Sequence, residues 1–113
     1  MTISYTKFFQ PLQVPLTSTL IATVPAQPAS NVLINGRVRA TNITATAATI
    51  TLYAVPVGGT ASGANTLVAA KSVAPNDWLD SDLPEMLAGD MLYALAGTVS
   101  AITLHYIDGL IRS

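Results

Sequence analysis

The sequence TITLYAV, residues Thr49–Val55, decides the fold class of this chain. Ile50, Leu52 and Ala54 would share one face of an extended chain, and Thr49, Thr51 and Tyr53 would share the other. A period of two between apolar and more polar side chains is typical of a strand with one buried face. The stretch therefore predicts a half-buried β-strand.

The same alternation recurs on both sides of this stretch. It is visible in RVRAT, residues 37–41, and in ITLHY, residues 102–106, and valine, isoleucine and threonine are abundant throughout. Branched side chains of this kind suit a pleated sheet better than a helix. Strands are predicted at residues 3–10, 16–24, 32–43, 47–57, 66–73, 90–97 and 100–107. The predicted core residues are Val38, Ile50, Leu52, Ile102 and Leu104.

Turn-forming residues separate these predicted strands. Asn35-Gly36, Gly58-Gly59, residues 88–90 and Asp108-Gly109 predict turns, and Pro84 predicts one helical turn over Leu83–Leu87. Short strands and frequent turns in about 100 residues indicate a β-sandwich or a small barrel. We expect an all-β, single-domain antiparallel β-sandwich, of which a jelly roll is one form, over residues 16–113.

The composition excludes several classes of protein. The chain has 113 residues, of which 50% are hydrophobic and 10% charged, and it has no cysteine. Low charge and high apolar content exclude intrinsic disorder, and the missing cysteines exclude a disulfide scaffold, a zinc finger and a cysteine nucleophile. The net charge of −1 argues against broad binding of nucleic acid, and no apolar run is long enough for a membrane helix. We therefore expect no nucleic-acid or membrane partner.

The first 15 residues form either an N-terminal arm or an edge strand. Pro11 and Pro15 remove backbone donors that a central strand needs. Tyr5, Phe8 and Phe9 lie close together beside these prolines, so they are predicted to reach a neighbouring molecule. The alternative is an edge strand packed on its own domain. The apolar composition further predicts a homo-oligomer, a dimer or a trimer, or else a monomer that orders fully only on a larger particle.

The residues that could carry chemistry form no catalytic or cofactor-binding pattern. His105 is the only histidine, and the glycines of residues 57–65 lack the spacing and lysine of a phosphate loop. The carboxylates of Asp77, Asp80, Asp82 and Glu85 could hold a weak calcium ion, but their spacing misses the calcium-loop pattern and favours a solvated acidic loop. Residues 42–44, NIT, match a glycosylation sequon. We expect a protein that is not an enzyme and holds no cofactor or metal.

The charges are sorted along the chain. Before position 77 all four charged residues are basic, and from there six acidic residues oppose one arginine. Two patches of opposite sign can meet a partner protein. One hypothesis is that the basic patch meets the acidic segment across an interface, and the alternative is that the two patches pair within one monomer. The predicted interface residues are Arg37, Arg39, Asp77, Trp78, Asp80 and Asp82.

One long segment resembles a known group of proteins. The sequence RVRATNITATAATITLYAVPVGG, residues 37–59, is followed by ANTL at residues 64–67 and by LAGD at residues 87–90. Together these elements resemble small structural proteins of tailed bacteriophages over roughly residues 36–107. The resemblance implies a β-sandwich protein of the virion without a catalytic residue.

Within that group the sequence favours a capsid decoration, or cement, protein. Such a protein would bind non-covalently between shell subunits, with the major capsid protein or another virion protein as its partner and the capsid surface as its location. The alternative is a tail-associated adaptor, a tail-tip protein or a host-recognition module. A carbohydrate-binding module would need a platform of aromatic side chains, and Tyr5, Tyr53, Trp78 and Tyr93 are scattered along the sequence.

Overall fold

A computed structural model describes residues 3–4 and 7–112 of the chain. These residues form ten strands and one short 3-10 turn, Gly63–Asn65, with no α-helix among them. The strands are β1 (Ile3–Ser4), β2 (Leu12–Gln13), β3 (Thr19–Thr23), β4 (Val32–Asn42), β5 (Ala48–Val55), β6 (Thr66–Val73), β7 (Trp78–Asp82), β8 (Met86–Leu87), β9 (Met91–Ala96) and β10 (Ile102–Arg112).

The strands form two antiparallel sheets. Sheet A has the order β1-β10-β4-β7, with β2 also paired to β10 and β8 also paired to β4. Sheet B has the order β3-β9-β5-β6. Successive strands often lie in different sheets, so most pairings join residues that are distant in the sequence. The prediction of an all-β, antiparallel sandwich is confirmed.

The inner faces of the two sheets form the hydrophobic core. Val38, Ile50, Leu52, Ile102 and Leu104 are all buried, as the alternation predicts. The alternation identifies them because successive side chains of a strand point to opposite faces. If one residue points inward, the residues two positions before and after it also point inward. The core contains side chains of β4 and β10 from sheet A and of β5 and β9 from sheet B.

The N-terminal residues pack on their own domain. β1 and β2 both pair with β10 at the edge of sheet A. Phe8 and Phe9 are buried, and their ring centroids lie 6.0 and 5.9 Å from that of Tyr106. The two phenylalanines are therefore not available to a neighbour while the domain holds this structure, in agreement with the edge-strand alternative. Tyr5 lies outside the described residues.

The structure corrects three local predictions. Residues 78–82 form a strand instead of a solvated acidic loop, and the predicted helical turn at residues 83–87 is replaced by a loop and β8. The Asn35-Gly36 and Asp108-Gly109 pairs are irregularities inside β4 and β10, opposite one another, instead of turns. Gly109 has a φ of 115°, and a Cβ atom there would lie 2.7 Å from the Cα atom of Gly36, so the two strands approach too closely for a side chain.

Candidate interaction surfaces

The charges predicted to meet a partner pair within the monomer. Strands β4 and β7 are neighbours in a register that places Arg37 opposite Asp82 and Arg39 opposite Asp80. The Arg39 side chain makes two hydrogen bonds to Asp80, from Nε to Oδ1 at 2.7 Å and from Nη2 to Oδ2 at 2.9 Å. Arg37 Nε lies 3.0 Å from Asp82 Oδ1. We name these four residues the charge ladder. The structure thus has the second of the two predicted arrangements, in which opposite charges pair within one monomer because the strand register places them side by side.

The charge ladder shifts the titration of its central pair. The hydrogen bonds from Arg39 lower the pKa of the Asp80 carboxyl group, and they raise the pKa of Arg39. The Arg39 guanidinium also lies over the indole of Trp78, 5.1 Å from the ring centroid. Trp78 itself remains exposed at the start of β7. The ladder therefore fixes one face of this indole and leaves the side chain accessible to a partner.

Outside the charge ladder, Asp77, Asp90 and Asp108 accept hydrogen bonds from backbone N–H groups. Asp77 Oδ1 accepts a hydrogen bond from the Trp78 N–H at 2.8 Å. The two carboxylate oxygens of Asp90 accept from the backbone N–H groups of Val57 and Leu87, at 3.0 and 2.9 Å. Within the described part of the chain no three acidic or histidine side chains lie close enough to hold a metal ion. Of the carboxylates in residues 77–85, Asp77 thus accepts from a backbone N–H group, and Asp80 and Asp82 pair with arginines.

Asn42, the first residue of the glycosylation sequon, is fully buried. Its amide donates hydrogen bonds to the carbonyl groups of Thr46 and Val73, at 2.7 and 3.0 Å. Its Oδ1 accepts from the backbone N–H and the hydroxyl group of Thr44, at 2.9 and 2.7 Å. Asn42 belongs to sheet A and Val73 to sheet B, so this side chain ties the two sheets together. In the folded chain it is closed to glycosylation.

Four loops meet at one end of the sandwich, which we name the loop end: residues 14–18, 43–47, 74–77 and 97–101. Backbone hydrogen bonds join residues 43–47 to the next two loops, from Ile43 N to Ala101 O and from Asn76 N to Thr44 O. The first loop is joined to the end of β9, where Ala96 N donates to Pro15 O. Asp77 is the only charged residue in these loops. Several large apolar side chains are nevertheless exposed at this end, namely Leu16, Ile43 and Val99, with Trp78 beside them.

The opposite end, residues 24–31, 56–65 and 88–90, exposes fewer such side chains. Val57 and the neighbouring Leu87 are its exposed large hydrophobic residues. Val57 contacts the turn at Gly89, where its Cγ2 atom would lie 2.8 Å from an added Cβ atom. The exposed apolar surface is therefore unequally divided between the two ends.

A second apolar surface covers the outer face of sheet B. The register places Leu20 opposite Tyr93, Tyr93 opposite Tyr53, and Tyr53 opposite Thr66. We name these four residues the tyrosine row; Leu95 and Met91 flank it on β9. Tyr93 lies between two buried residues of β9, and Tyr53 follows the buried Leu52 on β5, so both tyrosines point away from the core. Lys71 is the only charged residue in the four strands of sheet B.

The tyrosine row was missed by reasoning from the sequence. Tyr53 and Tyr93 are 40 positions apart, and only the pairing of β5 with β9 makes them neighbours. The sequence does show that both tyrosines occupy the more polar, outward positions of an alternating strand. That signal gives the direction of each side chain but not the identity of the neighbouring strand.

The described surface also has two open clefts of several hundred Å³. A cleft of about 440 Å³ lies where β4 and β10 are irregular, and its lining includes Asn35, Arg37, Glu85 and Asp108. A groove of about 680 Å³ separates the edge strands β6 and β7. The arginine of the first cleft is already paired with Asp82. In the groove the Ser81 hydroxyl group donates a hydrogen bond to the backbone carbonyl group of Asp82 at 3.2 Å.

No family model, curated protein or solved structure matches this chain. In the described residues no helix is long and apolar enough to cross a membrane. The surfaces of the domain are therefore the features that bear on its function.

Proposed function

We propose that the chain is a structural protein of a tailed-bacteriophage particle, a decoration protein that binds non-covalently between subunits of the capsid shell. The observation that carries this proposal is the group of exposed apolar side chains at the loop end of a charge-poor sandwich. Such patches on a small domain mark surfaces that bind other proteins. The loop end is the proposed attachment surface.

The composition of the loop end is suited to a protein partner. The central part of a protein interface is poor in charged residues and rich in aromatic and large apolar ones. Leu16, Ile43, Val99 and Trp78 provide these side chains, with Asp77 as the one charge in the adjoining loops. Burial of apolar surface stabilises a contact by roughly 25 cal/mol per Å² before the entropy of association is subtracted.

A single loop end offers a small contact. The molecule measures 46 × 26 × 17 Å, so an end of 26 × 17 Å covers only about 440 Å², which is less than the roughly 800 Å² that one partner contributes to a standard interface. A contact of this size becomes effective when many copies bind a repeated lattice or when copies are linked to one another. This requirement favours a symmetric shell as the partner.

The strand order supports a jelly-roll form of the sandwich. The chain passes from β2 to β3, from β4 to β5, from β6 to β7 and from β9 to β10 by crossing between the sheets, and every one of these crossings lies at the loop end. Jelly rolls of eight strands occur in viral capsid proteins and in lectins. The resemblance of residues 36–107 to phage structural proteins favours the first of these two.

Electron microscopy of purified particles of the phage that encodes the chain tests the proposal. We expect density for the chain at repeated positions over the whole shell. Density confined to one vertex or to the tail would identify an adaptor or tail protein instead. Absence of the chain from the particle would overturn the proposal.

A matched pair of variants tests the attachment surface. Val99 at the loop end and Val57 at the opposite end are 68% and 67% exposed, so replacing either by lysine disturbs the isolated domain to a similar degree. We expect Val99→Lys to weaken attachment by at least about tenfold, because it places a charge in an apolar contact, and Val57→Lys to leave it unchanged. Equal effects of the two variants would contradict attachment through the loop end.

A further inference from the structure

We infer that the outer face of sheet B binds a second copy of this chain about a two-fold axis, with the tyrosine row at its centre. This inference does not depend on the proposed function, because it concerns a different surface and can be tested on the isolated protein. The row runs across all four strands of the sheet, from Leu20 through Tyr93 and Tyr53 to Thr66.

The lack of charge identifies the kind of partner. The one charged residue of sheet B, Lys71, lies on the edge strand β6, so two such faces can meet without repulsion at their centres. Leu20 is exposed there, and Tyr53, Tyr93, Met91 and Leu95 are half-buried. These residues are suited to an interface between proteins, in which aromatic residues and methionine are enriched.

A carbohydrate fits this face less well than a protein does. A sugar site combines an aromatic platform with polar side chains that hold the hydroxyl groups in place. The carboxylates and guanidinium groups that could do this are on sheet A, in the charge ladder on the opposite side of the sandwich. The polar side chains next to Tyr53 and Tyr93 are Thr51 and Thr66, and the Thr51 hydroxyl group already accepts a hydrogen bond from the Ala70 N–H at 3.0 Å.

The size of the face agrees with a weak dimer. Its strands have up to eight residues, which corresponds to about 26 Å of length. Four strands about 4.8 Å apart are roughly 20 Å wide, so the face measures at most about 500 Å², which is less than the roughly 800 Å² per partner of a standard interface and is typical of a weak association. Two sheets stack face to face at about 10 Å when their side chains interdigitate.

The continuity of the face favours a two-fold axis. A two-fold axis uses the same surface patch on both copies, whereas a three-fold ring needs two different patches that fit each other. One unbroken sheet face is a single patch. The inference therefore selects a dimer from the two oligomeric states, dimer and trimer, that the composition predicts.

Sedimentation equilibrium between roughly 1 and 100 µM tests the inference on the isolated chain. We expect a species of twice the 11.7 kDa chain mass to dominate at the upper concentrations. Leu20→Glu places a charge at one end of the tyrosine row and should weaken association by at least about 30-fold. Ile107→Glu is the matched control, because Ile107 has a similar exposed fraction but belongs to sheet A.

A second pair of variants guards against loss of folding. Tyr93→Glu and Tyr93→Lys should each be monomeric, and an equimolar mixture of the two should recover the dimer, because opposite charges then face each other near the axis. Recovery requires that both chains are folded. A monomeric wild-type chain at 100 µM, equal effects of Leu20→Glu and Ile107→Glu, or a mixture that stays monomeric would overturn the inference.

Discussion

The two outer faces of the sandwich differ although the two inner faces are alike. Both inner faces are lined by aliphatic side chains, among them Leu104 on sheet A and Leu52 on sheet B. The outer face of sheet A carries the charge ladder, while sheet B has one lysine in four strands. The core requires only that apolar residues point inward, so it constrains both inner faces equally. The outer faces are free of that requirement, and their difference is therefore informative about partners.

The largest expected effects fall on the inner faces and should be nearly equal. Leu52→Ala and Leu104→Ala each remove a fully buried side chain and should lower the free energy of unfolding by about 3 kcal/mol. Denaturant titration of both variants measures this. Effects that differ by more than about 2 kcal/mol would show that the two inner faces are not equivalent and that one sheet dominates the core.

The next effect concerns the side chain that joins the two sheets. Asn42→Ala should lower the free energy of unfolding by about 2 kcal/mol, because the carbonyl groups of Thr46 and Val73 lose a buried donor. Thr41→Ala, on the outward face of the same strand, is the control and should change it by less than about 0.5 kcal/mol. Thermal unfolding of both variants would show whether the link matters, and similar melting temperatures would show that it does not.

Reversing the basic half of the charge ladder should have a smaller effect. The double variant Arg37→Glu and Arg39→Glu places like charges opposite Asp80 and Asp82 and should lower the free energy of unfolding at low salt, by less than Asn42→Ala does. Adding Asp80→Lys and Asp82→Lys should restore it. If the restored variant were no more stable than the double variant, the ladder would not act as paired charges.

The pH dependence of the free energy of unfolding should reveal the ion pair between Arg39 and Asp80. The pKa of Asp80 is lowered in the folded chain from its usual 3.8, so its contribution is complete above that pH and is lost as the pH falls through the folded pKa. The contribution should remain below about 1 kcal/mol, because the pair is partly exposed. Asp80→Asn should flatten this part of the acid unfolding curve, and an unchanged curve would contradict the assignment.

The smallest effect is expected on the outer face of sheet B in the monomer. Leu20→Ser removes an exposed side chain and should change the free energy of unfolding of the dilute, monomeric chain by less than about 0.5 kcal/mol. Unfolding measured at concentrations below and above the association range separates the two contributions. A large loss of stability in the dilute chain would mean that Leu20 belongs to the core and not to a partner surface.

The alternation of residue types predicts much of the fold but little of the surfaces. Val38 and Leu52 are identified as core residues because strand geometry is local and repeats every two residues. β7 is missed because its sequence, WLDSD, contains three polar residues, two of them acidic. Those acids are compatible with a strand only because the arginines of β4 lie beside them, and the sequence near residue 80 contains no sign of that neighbour.

The turn signals illustrate the same limit. Asn35-Gly36 and Asp108-Gly109 have the composition of tight turns, and local preference alone predicts that the chain reverses there. In the fold both pairs lie in the middle of long strands, where they face each other and let β4 and β10 approach closely. The glycines thus show in the sequence where the backbone can adopt an unusual conformation. Whether the chain turns or forms a bulge there depends on the partner strand.

The sequence by itself determined the class of the fold, the direction of most strand side chains and the low charge of the surface, because these follow from residue type and from a period of two. The tertiary structure alone decided that Phe8 and Phe9 pack against Tyr106, that the sorted charges pair within one chain, and that Tyr53 lies opposite Tyr93. Each of these is a contact between distant segments. Such contacts depend on which strands become neighbours, and that choice is made by the packing of the whole core.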